Sequence, residues 1–156
     1  MSATTPGQVK NIIRRSLREV VDPSPSKADV KKIWEFFDSK CVYCGKGLHK
    51  EKKEGHIDHL VSSSCSGSNQ ITNRVLSCAT CNEKEKLAGP WEEFLVSKNS
   101  DEKVREQRKQ KISDWQKLHK RVVLSKKVLT EIQELGDEVA AYYDEKIQRA
   151  RALKKY

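Results

Sequence analysis

The sequence has no long apolar run, no apolar leader and no internal repeat, and each absence removes a class of protein. Nowhere do consecutive apolar residues approach the roughly 18 that a membrane helix needs, so neither a span nor a membrane partner is predicted. The opening stretch MSATTPGQVKNIIRRSLREV lacks the apolar core of a secretory signal, which predicts a cytoplasmic protein whose thiols stay reduced. Apolar residues are also modest in number. At 36% apolar and 34% charged, the 156 residues have room for one small core, that of a single compact domain with appended helices.

Basic residues are in excess. The formal charge is +9, and residues 1–60 carry 12 basic against 8 acidic groups, residues 61–100 carry 4 and 4, and residues 101–156 carry 15 and 10. Lysine and arginine that neutralise phosphates release condensed counterions, so a polyanion is the leading partner. A solvated helical surface gives the same composition, and charge alone does not separate the two.

The pattern of elements is mixed. Val9, Ile12, Ile13, Leu17 and Val20 have helical spacing that stops at DPSPS, and Ser26 with Asp29 forms a capping arrangement for a second helix carrying Val30, Ile33, Trp34 and Phe37. Residues 55–61 and 72–77 read as two short strands joined by the loop SSSCSGSNQ, followed by a short helix opening at Asn82 and ending at Gly89 and Pro90, then another begun by Pro90. Beyond residue 99 the chain reads as mostly helical. Ile112, Trp115, Leu118, Val122, Leu129, Ile132, Val139 and Tyr143 approximate a heptad seam, interrupted at Ser125, with Gly136-Asp137 offering a stop and a new cap. The seam packs back on the domain or joins two copies in a homodimer.

Chemistry enters with cysteine. Cys41-Val-Tyr-Cys44 and Cys78-Ala-Thr-Cys81 are two knuckles separated by 33 residues, and four thiolates so arranged suit the tetrahedral preference of a structural Zn²⁺. A dithiol redox centre needs only one such pair, and a reducing compartment disfavours two disulfides. Cys65 is left over as a free thiol. If zinc clamps the knuckles, the intervening hairpin is anchored at both ends, and GHIDHL carries Asp58 and His59 toward the helix that opens at Asn82. A carboxylate oxygen and an amide oxygen are hard donors suited to Mg²⁺ or Mn²⁺, and an imidazole can take a proton from water near neutral pH.

These positions, Cys41-x-x-Cys44, Asp58-His59, Asn73 and Cys78-x-x-Cys81-Asn82, resemble the motif of the HNH endonucleases, in the subclass whose hairpin is stapled by a four-cysteine zinc. The resemblance covers about residues 38–98. It implies an α+β fold with a ββα-metal core over residues 38–98, an N-terminal helical segment over 1–37 and a C-terminal helical segment over 99–156 that faces DNA or dimerises. It further implies a bacterial or phage-like, metal-dependent DNA endonuclease of restriction, phage or mobile-element type that leaves 5′-phosphate and 3′-hydroxyl ends. Asp58 and Asn82 would hold the catalytic Mg²⁺ or Mn²⁺, His59 would be the general base, and Asn73 would orient the loop and the histidine. The alternative is a non-catalytic zinc module that binds nucleic acid.

One departure comes from periodicity. Strand alternation puts His56 on the face of Asp58 and His59 on the other, so Asp58 and His59 converge on one phosphate only through a local bulge, and His56 is the competing base. Two stretches are expected to face DNA: residues 45–55, and residues 103–121, where Arg105, Arg108 and Lys109 share a helix face, as roughly do Arg108, Lys111 and Lys120. Lys84 and Lys86 are placed to meet phosphates near the cut.

Overall fold

The computed structural model describes residues 4–120 and 122–155, leaving Arg121, at the end of the second basic stretch, outside the described residues. The fold is α+β, with helices and one two-stranded antiparallel sheet. By their internal contacts the residues form two compact units, one of the chain up to Pro23 with the chain from Val123 onward, the other of Ser24–Val122.

The larger unit begins at Ser26, whose hydroxyl accepts from the Asp29 backbone N–H while the Asp29 carboxylate returns the bond, a reciprocal cap that starts helix α2 (Lys27–Phe36) where the spacing predicts it. This helix turns Ile33 and Trp34 into the core. The chain leaves it through Asp38 and Ser39, both left-handed at φ 51° and 52°, and enters the first cysteine knuckle. Strands β1 (Gly55–His59) and β2 (Arg74–Cys78) then pair antiparallel, with Gly55 opposite Cys78 and His59 opposite Arg74. Helices α3 (Trp91–Lys98) and α4 (Glu102–Leu118) complete the unit, burying Leu95, Ile112 and Trp115 against Phe37, Tyr43, Val75 and Leu76. The Trp115 indole N–H donates to the Arg74 carbonyl at 2.8 Å, so the core's largest ring also fixes the start of β2.

Gly55 opens β1 because nothing larger fits. A Cβ there would lie 2.3 Å from the six-membered ring of Trp34, which is itself packed in the core. Neither the ring nor the strand can retreat without breaking other contacts. Gly55→Ala is therefore expected to lower stability by about 1–3 kcal/mol, the usual range for overpacking, read from chemical denaturation midpoints at constant slope.

The strands are shorter than the β-branched runs predict. Leu60 and Val61 leave the ladder, and Thr72 and Asn73 sit instead in a 3₁₀ turn, Ile71–Asn73, because the loop between the strands is held by side chains rather than by pairing. The helix expected from Asn82 to Gly89 is a π-helix, Thr80–Lys86, which ends at Leu87, at a positive φ of 50°, two residues before the glycine.

In the smaller unit, helix α1 (Pro6–Val21) is capped by Thr5 and Gln8, and helix α5 (Lys126–Ala152) by Ser125. The two run antiparallel, with Lys10 on Asp144 at 2.7 Å and Arg14 on Asp137 at 2.9 Å. Gly136 does not stop α5. It is buried within it, where a Cβ would meet the Arg14 side chain at 3.1 Å, so close approach of α1 outweighs its poor helix propensity of about 1 kcal/mol. The heptad seam is likewise not continuous. Ile112 and Trp115 belong to the core of the larger unit, Leu118 and Val122 are 64% and 57% exposed, and the helix breaks between Leu118 and Lys126.

Candidate metal centre and active site

The four knuckle cysteines converge. Their sulfurs all lie within 4.8 Å of one another, with Cys44 Sγ and Cys78 Sγ 3.8 Å apart. A tetrahedral zinc with Zn–S bonds of about 2.3 Å sets its sulfurs about 3.8 Å from each other, whereas a disulfide needs about 2.04 Å. All five cysteines are free, which removes the bridged reading. Burial pushes the Cys41 thiol up to about 11, opposed in part by backbone N–H groups, and burial with neighbouring sulfurs raises Cys81 further. At Cys78 burial acts in the same sense, but the Cys81 N–H and adjacent thiols outweigh it and lower the pKa. Four thiolates crowded in a buried pocket repel each other, and a divalent cation among them relieves that cost.

Arg108 completes the knuckle from outside. Its guanidinium donates to the Tyr43 carbonyl and to Asn99 Oδ1, and it lies so close over Gly45, at φ 77°, that a Cβ there would meet it at 2.4 Å. Arg105 donates to the Asn99 and Ser100 carbonyls at 2.9 Å, and Lys111 pairs with Asp38. Of the side chains in and just after α4 expected to track phosphates, Arg105 and Arg108 are thus turned onto the fold, where backbone carbonyls around the knuckle take their donors, whereas Lys109 and Lys120 remain exposed. Arg108→Met is expected to cost about 1–3 kcal/mol and to speed zinc loss to a chelator, while leaving the salt dependence of nucleic-acid binding unchanged.

Asn73 closes the loop between the strands. Its amide donates to the Val61 and Ser68 carbonyls at 2.9 and 2.8 Å and its oxygen accepts from the Val61 N–H at 2.9 Å, so one buried side chain clasps both ends of the loop. Gly67 is required inside it, since a Cβ would sit 1.8 Å from the Val61 carbonyl. The closed loop presents Asn69 to the His59 ring: Asn69 Oδ1 lies 3.1 Å from His59 Nε2 and also accepts from Arg74 at 2.8 Å. A second Arg74 nitrogen meets His59 Nδ1 at 3.0 Å. Arginine can only donate, so in this contact Nδ1 accepts and Nε2 carries the proton toward Asn69. Arg74 and Asn69 escaped the sequence reading. The one signal for Arg74 was register: it stands directly across the sheet from His59.

Asp58 and His59 do not converge. The ladder runs through both without a bulge, so Asp58 turns inward while His59 faces the loop. Asp58 Oδ2 accepts from the Tyr43 hydroxyl at 3.0 Å and pairs with Lys86 Nζ at 3.2 Å, the two charged side chains being 6% and 1% exposed. Burial, the larger influence, raises the Asp58 pKa above the ordinary carboxylate range against the opposite pull of Lys86 and Tyr43. Burial likewise holds the Tyr43 hydroxyl protonated well above its usual range, with Asp58 adding to it. Lys86 is therefore an interior group and not, as the sequence suggested, a contact for phosphates near the cut.

His56 stands nearer to Asn82. Its Nδ1 lies 3.3 Å from the Asn82 amide nitrogen and 3.2 Å from Glu83 Oε1. Unprotonated, that nitrogen accepts from the amide; carrying a proton, it donates to the carboxylate. The structure thus groups the motif residues in two sets, His56 with Asn82 and Glu83, and His59 with Asn69 and Arg74, with Asp58 in the interior beneath β1. The oxygens of Asp58, Asn82 and Glu83 have the chemistry a hard divalent cation prefers.

The model of the HNH endonuclease family matches residues 41–86, from the first knuckle cysteine to Lys86. The stretch is similar to a nuclease-type family, whose substrate class is nucleic acid. No curated protein matches the chain. No helix among the described residues is long and apolar enough to cross a membrane.

Proposed function

We propose that this chain is a metal-dependent DNA endonuclease in which the HNH segment, stapled by a structural zinc on Cys41, Cys44, Cys78 and Cys81, hydrolyses a phosphodiester to 5′-phosphate and 3′-hydroxyl ends. The observation that supports it is the family match over residues 41–86, a stretch that contains Asp58, His59, Asn73 and Asn82 in motif order. Asp58 and Asn82 would hold a Mg²⁺ or Mn²⁺ ion, which supplies charge stabilisation at the phosphoryl group and the leaving 3′ oxygen. His59 takes the proton of the attacking water at Nδ1, the ring nitrogen whose lone pair faces Arg74. The Asn69 contact to Nε2 holds the ring in the tautomer that leaves Nδ1 basic. Asn73 maintains the loop that carries Asn69. Arg74, released from Nδ1 by the incoming phosphate, faces a phosphate oxygen.

A second reading, a zinc module that binds nucleic acid without cutting it, draws on the pairing of Asp58 with Lys86, which leaves the carboxylate already neutralised. Supercoiled plasmid separates the two. The nuclease converts it to nicked or linear DNA with Mg²⁺ or Mn²⁺ and not with EDTA, and ligase reseals the ends without prior phosphorylation. One active site cuts one strand per binding event, so linear product requires a second copy or a second binding event. Retarded but intact plasmid under all three conditions supports the binding module.

A further inference from the structure

Lys86 has no role in the chemistry above, yet its ammonium is among the most buried charges of the molecule. Nζ lies 3.2 Å from Asp58 Oδ2 and 2.7 Å from the His59 carbonyl, with the Tyr43 ring centroid at 5.9 Å. It therefore touches the backbone of one motif residue and the side chain of its neighbour. An interior ion pair of this kind gives little net stability, because desolvating both charges costs about as much as their attraction returns. Its position is more informative than its energy: a monovalent cation already sits against the carboxylate that a divalent one would need.

We propose that Lys86 is a resident cation competing with the divalent metal for Asp58, so that metal binding requires the ammonium to withdraw. This rests on the nuclease reading only for the identity of Asp58 as a metal ligand. The surroundings suit an exchange. Lys86 is the last residue of the seven-residue π-helix that also carries Asn82, and Leu87 follows it at φ 50°. Helices with i→i+5 bonding are rare and short, and often lie at functional sites, so this segment has a ready alternative in ordinary α-helical winding. Rewinding turns residues 82 and 86 relative to each other about the helix axis. Withdrawal of Lys86 would also remove the bond on the His59 carbonyl, which links the metal's arrival to the backbone of the proposed base.

Mn²⁺ binding, read from the electron paramagnetic resonance of the free ion on zinc-loaded protein without DNA, tests the exchange independently of cleavage. Lys86→Met keeps the length of the side chain and removes its charge, and it is expected to tighten Mn²⁺ binding at least about tenfold, since a like charge a few ångströms away is gone. Asp58→Asn in the Lys86→Met background should return the affinity to or below that of the wild type. Equal or weaker binding by Lys86→Met, or no binding by either protein, would overturn the proposal. If Lys86→Met fails to fold, the wild type still decides it through nitrogen-15 resonances of its lysine ammonium groups. The buried Lys86 signal, protected from water, should lose that protection as Mg²⁺ is added, and persistence of a protected signal at saturating Mg²⁺ would sink the idea. Absence of plasmid cleavage alongside tighter Mn²⁺ binding by Lys86→Met would remove the nuclease reading and leave this one standing.

Discussion

Cys78→Ser is expected to lose its bound zinc and, with it, the cooperative unfolding of the larger unit. The sheet consists of two strands of five residues each, and a pair that short is not stable alone in water. What holds it is the closure of both ends: Cys78 terminates β2 and pairs with Gly55 at the start of β1, while Cys41, Cys78 and Cys81 are themselves core members beside Tyr43 and Leu76. Structural zinc contributes on the order of 10 kcal/mol to zinc-finger folding, comparable to the entire stability of a typical domain, about 5–15 kcal/mol, so no local adjustment compensates. The zinc-to-protein ratio, measured by mass spectrometry after dialysis, should fall from one toward zero, and the near-ultraviolet circular dichroism of Tyr43 and Trp115 should flatten. A reductant alone should change neither in the wild type, because no disulfide is present. A Cys78→Ser protein that kept full zinc and a sharp transition would remove the four-sulfur centre from the account.

The knuckles were legible because their chemistry is local: two Cys-x-x-Cys pairs announce a tetrahedral site whatever lies between them, and the structure brings the four sulfurs together. The Ser26 cap was legible for the same reason. What the sequence withheld are contacts between distant side chains that share no spacing rule. Arg105 and Arg108 share a helix face, as their numbers require, but which way that face turns depends on carbonyls at Tyr43, Asn99 and Ser100. Lys86 looks like any lysine of an exposed helix end until Asp58 is found beneath it. Gly136 reads as a helix stop because its propensity is visible and the α1 backbone against it is not. Alternation along β1 was the more informative rule at the site. It separates Asp58 from His59, which the family pattern alone would have drawn together, while the grouping of His56 with Asn82 is a contact between elements that alternation does not reach.

That separation makes the histidines the most decisive pair to mutate. With His59 as the base, His59→Ala should lower plasmid cleavage by about 10²–10⁴-fold, the usual contribution of a positioned proton acceptor, with zinc content and DNA affinity retained. Its stability should fall as well, since Arg74 and Asn69 lose the ring they enclose, so the rate must be compared at a temperature where both proteins are folded. His56→Ala is the control that gives the result meaning. His56 meets Asn82 and Glu83 at the other end of the strand, and its removal leaves the contacts of the His59 ring with Asn69 and Arg74 in place. If His56 only steadies Asn82, its loss should shift the metal concentration needed for half-maximal rate and leave the rate at saturating metal near that of the wild type. The reverse pattern, full activity without His59 and none without His56, would move the base to the face that His56 shares with Asp58, and the water would then be activated beside Asn82 rather than beside Arg74.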